Sequence, residues 1–399
     1  MSNENERDIL TLDDDAWEKV VQVTGGDAAP CYQCGTCTAI CPWGLVKREP
    51  LSVRKIIRSA QLGIDGWGEA LWLCTTCALC EENCPRGVPI TDVILALRGL
   101  SWRQRQEPRH LRSLLWGVYW DGNPWGRPPS QRSQWARDLD VPRFSPEDEV
   151  LYYVGCTASY DRRMQKIARS LVTLFREAGV RFGTLGDDEP CCGEGVTSVG
   201  HRDYAQELID RNAGLFEKEG VATVVTTSPH CFDMFARRYP DFSGRFRPLH
   251  YSQFLAQLIE EGRLRFQQPL PMRVTYHDPC YLGRRSGVYE EPRRILEAIP
   301  GLELVEMEHN RAEALCCGGG GGRMWTETPA GERFADLRAQ EAAATGAEAL
   351  VTACSFCISC LEDSLKTADL PMRVLDVSEV AVMALRAQPA EAAAVGAPA

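Results

Sequence analysis

The chain has 399 residues, 44% hydrophobic and 25% charged, which is long enough for two or three domains that each bury a core. A net charge of −11 argues against nucleic acid, which calls for a basic stripe, and no apolar run nears the roughly 18–20 residues of a membrane-spanning helix. Eighteen cysteines without a secretory signal, in a chain this long, read as metal ligands rather than as a disulfide scaffold.

Residues 1–29 are acidic, with Asp13-Asp14-Asp15 ahead of one short amphipathic stretch, and predict a loosely held arm. The start has no basic n-region, no apolar h-region and no twin arginines. The expectation is a cytoplasmic protein with no direct membrane span, or one held at the inner face of a membrane through a partner. Residues 30–100 carry the first eight cysteines. Between the two groups, Val53, Ile56, Ile57 and Ala60 recur at helical spacing, and residues 91–100 also read as helix, so this module is helix-rich.

Cys31-x2-Cys34-x2-Cys37-x3-Cys41-Pro42 and Cys74-x2-Cys77-x2-Cys80-x3-Cys84-Pro85 both match the two-cluster ferredoxin run. Thiolates three residues apart on a tight loop reach three irons of one cubane face. The fourth cysteine, followed by proline, crosses to the other cluster. One [4Fe–4S] cluster then takes Cys31, Cys34, Cys37 and Cys84, and the other takes Cys74, Cys77, Cys80 and Cys41. A zinc ribbon would show two CxxC pairs instead. Two adjacent, fully ligated clusters make a wire rather than a reaction centre.

Residues 101–148 hold five tryptophans (Trp102, Trp116, Trp120, Trp125, Trp135) and a turn-rich run from Gly122, and predict an irregular connector packed across two domains, with a flavin or quinone site as the alternative. From residue 149 strands and helices alternate. Residues 149–154 and 221–226 read as strands, with a helix between them presenting Ile167, Leu171, Leu174 and Phe175 and stopped by Gly179. A similar order recurs over residues 273–277, 293–298 and 349–353. Such alternation implies α/β layers on a largely parallel sheet.

The cysteines repeat too. Cys156, Cys191-Cys192-Gly193 and Cys231 are spaced by 35 and 39 residues, and Cys280, Cys316-Cys317-Gly318 and Cys357 by 36 and 40. The second copy adds Cys354, making five thiolates, one more than a cubane requires. Adjacent cysteines suit neighbouring irons of an extended cluster better than one tetrahedral ion. At the position of Cys354 the first copy has Ser228, a much harder ligand than a thiolate.

The pattern Asp278-Pro-Cys280, Cys316-Cys-Gly318, Cys354-Ser-Phe-Cys357 resembles the cysteine-rich CCG domain of heterodisulfide reductases. Joined to a two-cluster ferredoxin, residues 30–385 resemble the catalytic iron–sulfur subunit of the membrane-linked enzymes and their bacterial relatives. The resemblance implies an α+β chain: an acidic arm (1–29), a helical ferredoxin domain (30–100), a connector (101–148), two α/β CCG domains (149–268 and 269–386) and a disordered tail (387–399). It implies a noncubane [4Fe–4S] cluster on Cys280, Cys316, Cys317, Cys354 and Cys357 as the catalytic centre. The first copy departs from the pattern: Cys156, Cys191, Cys192 and Cys231 would hold a plain cubane or, with Ser228 as an oxygen ligand, an altered cluster, or the site would be empty.

Several neighbours join this set. Gly318 and Gly319, in a run of five glycines, are expected to let backbone N–H groups approach cluster sulfurs or an anionic substrate. Asp278 reads as a helix cap, His277 and His230 as proton carriers or plain core residues, and Cys360 as a helical cysteine. Arg284, Arg285 and Arg323 read as solvated surface cations unless they meet an anionic substrate. The function implied is a heterodisulfide-reductase-like oxidoreductase subunit working on a disulfide or thiol. The alternative is an electron-transfer subunit between a flavoprotein or electron-transfer flavoprotein and a quinone-linked or cytochrome b-type membrane partner.

Overall fold

Two four-stranded sheets, both wholly parallel, form where the alternation begins. The first contains β1 (Val150–Tyr153), β2 (Phe182–Gly183), β3 (Thr223–Thr226) and β4 (Arg247–His250), in the order β2-β1-β3-β4. The second contains β5 (Arg273–His277), β6 (Glu303–Val305), β7 (Ala349–Thr352) and β8 (Arg373–Asp376), in the equivalent order β6-β5-β7-β8. The computed structural model describes residues 14–46, 51–64, 67–241, 244 and 246–385, and the expected disordered tail lies outside them.

β1 and β7 are buried at every position, as strands covered by helices on both faces must be. The helix Gln165–Glu177 carries the predicted apolar face and ends before Gly179, whose positive φ of 64° continues the Schellman-type stop. The repeats embrace reciprocally. Tyr251–Glu260, after β4, packs on Glu290–Glu297 of the second repeat, while Val377–Met383, after β8, packs on Gln165–Glu177 of the first. One apolar core therefore runs through both sheets, and Arg163 crosses the join to Glu362 and Glu379 at 2.7 and 2.8 Å.

The cysteine module ahead of the sheets is helical, as read, with Val53–Gln61 burying Val53, Ile56, Ile57 and Ala60. Two expectations change. The described part of the arm is a helix, Asp14–Thr24, packed on Ile90–Arg103 with Val20 buried. The connector is not irregular throughout: Leu111–Asp121 is a helix closed by Gly122 in the left-handed region. Its tryptophans divide. Trp102, Trp125 and Trp135 pack on Trp72, Trp325 and Tyr152, whereas Trp116 and Trp120 are exposed. Among the described residues no helix is long and apolar enough to cross a membrane.

Candidate metal centres

None of the eighteen cysteines is in a disulfide. Cys41, Cys74, Cys77 and Cys80 line one small cavity, together with Pro42, Trp43 and Ile94. The fourth cysteine of the first run thus reaches the first three of the second. Reciprocally, Tyr32 has both Cys34 and Cys84 as electrostatic neighbours, and Cys37 has Cys31 and Cys34. Burial pushes the Cys74 thiol up to about 11 and Cys41 up to about 12. As thiolates these sulfurs would need a cation in their midst, and iron would supply it.

The CCG thiols sit where a doubly wound sheet gathers ligands. In the order β2-β1-β3-β4 the chain switches direction between β1 and β3, and the crevice lies beyond their carboxyl ends. Cys156 follows β1, Cys191 and Cys192 follow β2, and Cys231 follows β3. These four, with Ser228 and His230, line a single pocket. The Arg132 guanidinium lies 3.4 Å from Cys156 Sγ and is itself held by buried Glu189 at 2.8 Å. The other Glu189 oxygen accepts the Val154 N–H at 2.8 Å, which ties the loop to the strand end.

In the second repeat Cys280 follows β5, Cys316 and Cys317 follow β6, and Cys354 and Cys357 follow β7. Cys316 contacts Cys280 and Cys317, Cys317 lies 3.3 Å from Cys357, and Cys357 contacts Cys354. All five predicted thiols come together. Cys316 also contacts Cys77 of the ferredoxin module, and its Sγ lies 3.7 Å from Thr75 Oγ1. The five-glycine run makes this approach possible. A Cβ on Gly320 or Gly321 would collide with the backbone of Thr75 or Cys74, and Gly321 adds a φ of 61°. Gly318 N–H donates to Cys316 Sγ at 3.2 Å, while Gly319 packs on Met324 and Cys360.

The three arginines expected at the surface are buried or nearly so. Arg284 donates to the carbonyls of Cys77, Ala312 and Ala314, and its Nη2 has no protein partner among the described residues, although Cys77, Cys280 and Cys316 are its charge neighbours. Arg285 pairs with buried Asp233 at 3.1 Å and lies over the Tyr281 ring. Arg323 lies over Trp43 and donates to Thr328. Asp278 caps no helix. It pairs with Arg293 at 2.7 Å and accepts the Arg311 N–H at 2.8 Å.

His230 joins the two repeats. Its ring stacks on Tyr281 and leans on Phe356, its own counterpart in the second copy. Burial opposes its charge, but Glu194, 3.2 Å from Nδ1, and Cys354 outweigh that and hold its pKa up at about 10. The contact with Glu194 is an ion pair whose angle falls short of a hydrogen bond. Burial and the charges of Arg338 and Arg284 keep His277 neutral. Cys360 is half-buried and 3.8 Å from Met324 Sδ. It shares a cavity of about 280 Å³ with Cys317, Gly318, Trp43, Arg323 and Phe334.

Sequence reasoning passed over Arg98, which is fully buried and donates to the carbonyls of Leu71, Cys74, Ser198 and Gly321 at 3.1, 2.7, 2.5 and 2.9 Å. It thereby ties the ferredoxin module to both repeats. A lone cation in the apolar stretch from Ile90 to Leu100 was its only trace. The donor set fits iron–sulfur clusters: buried thiols converge, and the unpartnered N–H of Arg284 looks for an acceptor beside them.

Comparison with known proteins agrees with this geometry. The Cysteine-rich domain family (CCG) matches residues 150–236 and 274–362, and the 4Fe-4S dicluster domain family matches 27–88. A probable iron-sulfur-binding oxidoreductase, FadF, of Bacillus subtilis is 38% identical, and the EtfAB:quinone oxidoreductase of Syntrophomonas wolfei 34%, each over 78% of this chain. The chain spans about half of either relative, 46% in both cases. One subunit of the dihydromethanophenazine:CoB–CoM heterodisulfide reductase of Methanosarcina barkeri is 30% identical over 89% of this chain and 93% of its own length. A hypothetical protein from Helicobacter pylori, 10% identical, shares the fold at a TM-score of 0.51 over 94% of this chain and 72% of its own. With thiols gathered at corresponding strand ends in both repeats and a dicluster module docked against them, the chain belongs to the iron–sulfur oxidoreductase family that includes this heterodisulfide reductase component.

Proposed function

We propose that the chain carries electrons between a redox partner and a sulfur-ligated centre in its second repeat, where a disulfide or thiol is handled. In this reading Cys31, Cys34, Cys37 and Cys84 hold one cubane cluster, and Cys41, Cys74, Cys77 and Cys80 hold the other. Cys280, Cys316, Cys317, Cys354 and Cys357 hold a noncubane [4Fe–4S] cluster, and Cys156, Cys191, Cys192 and Cys231 a further, simpler one. Bound in the second repeat, such a cluster would supply the one-electron steps that ordinary thiol–disulfide exchange lacks.

The observation that carries the reading is the contact of Cys77 with Cys316. The second ferredoxin site and the second-repeat site share a wall, with no spacer between them. The cavity beside Cys317 offers a small substrate apolar contact from Trp43 and Phe334, and its charged lining is mixed, with Arg323 and Arg333 beside Glu332 and Asp363. In the alternative reading the chain handles no substrate of its own and carries electrons between a flavoprotein or electron-transfer flavoprotein and a quinone-linked or cytochrome b-type membrane partner.

The test is spectroscopic. Anaerobically purified protein is assayed for iron and sulfide, then oxidised with and without small thiols and followed by EPR. A paramagnetic species that appears only with thiol supports the reading. Full cluster content and fast electron transfer to a flavoprotein, with no such species, would replace it with a purely electron-carrying role.

A further inference from the structure

His277 ends strand β5, three residues before Cys280, and it is buried. Its backbone is fixed by the sheet, where the Thr352 hydroxyl donates to the His277 carbonyl at 3.1 Å. Its ring is fixed by Arg338, whose Nε donates to His277 Nδ1 at 3.1 Å. Arg338 is held in turn by Glu341 at 2.6 Å and by the His309 carbonyl at 2.7 Å. A ring nitrogen of His277 and the sulfurs of Cys317 and Cys357 all lie within 4.8 Å of one another. Nε2 is buried and has no protein partner among the described residues.

A histidine beside two metal-binding thiols invites reading as a ligand, and the arginine decides otherwise. A guanidinium has donors only and keeps its protons. Nδ1 must therefore accept, and the single proton of a neutral ring sits on Nε2. To bind iron, Nε2 would have to surrender that proton to Nδ1, which would then face the Arg338 N–H donor to donor. Proton delivery fails for the same reason, since Nδ1 has no route to take up a replacement.

We infer that His277 is a positioning residue that holds an Nε2–H donor toward a sulfur of the second-repeat centre and neither ligates its iron nor carries protons to it. The inference rests on the proposed cluster in that repeat. A buried N–H needs an acceptor, and a cluster sulfur beside Cys317 and Cys357 provides one. Such a bond favours the more negative, reduced form of the centre and raises its potential.

The full chain, reconstituted and labelled with ¹⁵N-histidine, is examined by pulsed EPR in light and heavy water. The expected result is an exchangeable deuteron at the second-repeat centre with only a weak histidine nitrogen coupling. In His277→Leu the deuteron disappears and the reduction potential falls. His277→Gln, which keeps a side-chain N–H, recovers part of that fall. A strong, directly bonded nitrogen coupling overturns the inference, and so does a potential that stays in place in His277→Leu at full iron content. If Cys317→Ser leaves both iron content and this signal intact, the cluster assignment itself fails and takes the donor with it. The isotope measurement on the unaltered chain stands even if a variant does not fold.

Discussion

The two repeats have the same strand order, the same parallel pairing and thiols at the same strand ends, yet they treat one position oppositely. Ser228 and Cys354 are both the N-cap of the helix that follows the third strand of their repeat. Ser228 uses its side chain to cap, accepting the His230 N–H at 3.3 Å. Cys354 makes no such bond. A serine oxygen satisfies a helix end, which is worth about 1 kcal/mol, whereas the Cys354 sulfur faces Cys357 and His230, where in the proposed reading it would serve a cluster. The fold thus sets where a ligand can stand, and one atom decides whether it serves the helix or the cluster.

Exchanging that atom is the strongest way to break the contrast. Cys354→Ser should turn the second site into the kind found in the first and abolish the thiol-dependent EPR species, while Cys156, Cys191, Cys192 and Cys231 keep their own iron. Iron analysis beside EPR checks this, and a persisting species would mean that Cys354 is no ligand.

The next largest effect falls on what the repeats share. Arg98 reaches Ser198 in one and Gly321 in the other. Arg98→Met leaves buried carbonyls without donors at about 1–3 kcal/mol each, so stability should fall by more than about 3 kcal/mol. The midpoint of denaturant-induced cluster bleaching measures it, and a midpoint like that of the unaltered chain would deny Arg98 its clamping role. The reverse exchange is milder. Ser228→Cys should weaken the helix cap by about 1 kcal/mol and confer a second thiol-dependent signal. An unchanged spectrum would show that the first pocket differs from the second by more than this residue.

What the sequence made legible follows from the range of the interactions. The candidate ligands lie on short loops with fixed spacing, and the CCG thiols recur by duplication, so Cys31 to Cys84 and Cys280 to Cys357 stand out from local pattern alone. Arg98, Arg284 and Arg285 left no local pattern, because their partners lie far along the chain: Gly321, Cys77 and Asp233 are 223, 207 and 52 residues away. Asp278 looked like a cap because a carboxylate before a turn usually is one, and only the distant Arg293 guanidinium and Arg311 backbone N–H reveal what it holds instead. The helix Leu111–Asp121 hid behind the Trp- and Pro-rich composition around it.

A second matched pair sharpens the comparison where the repeats end. His250 closes β4 and Asp376 closes β8, and each caps the helix that follows through a serine two residues on. Both are buried and both are driven toward neutrality: burial lowers the His250 pKa to about 3 and raises that of Asp376 to about 7. The pH consequences oppose each other. The folded-state pKa of Asp376 lies above its ordinary value of about 3.8, so its contribution is complete below that value and is lost as pH rises toward 7. That of His250 lies below its ordinary value of about 6.5, so its contribution is complete above that value and is lost as pH falls toward 3. Between about pH 4 and 6.5 the two slopes nearly cancel. Asp376→Asn keeps an oxygen for the Ser378 N–H and removes one slope, so stability should then fall on acidification more steeply, by the equivalent of about one proton. Denaturation midpoints across that range decide it, and parallel curves for the two proteins would mean that Asp376 is ionised in the fold.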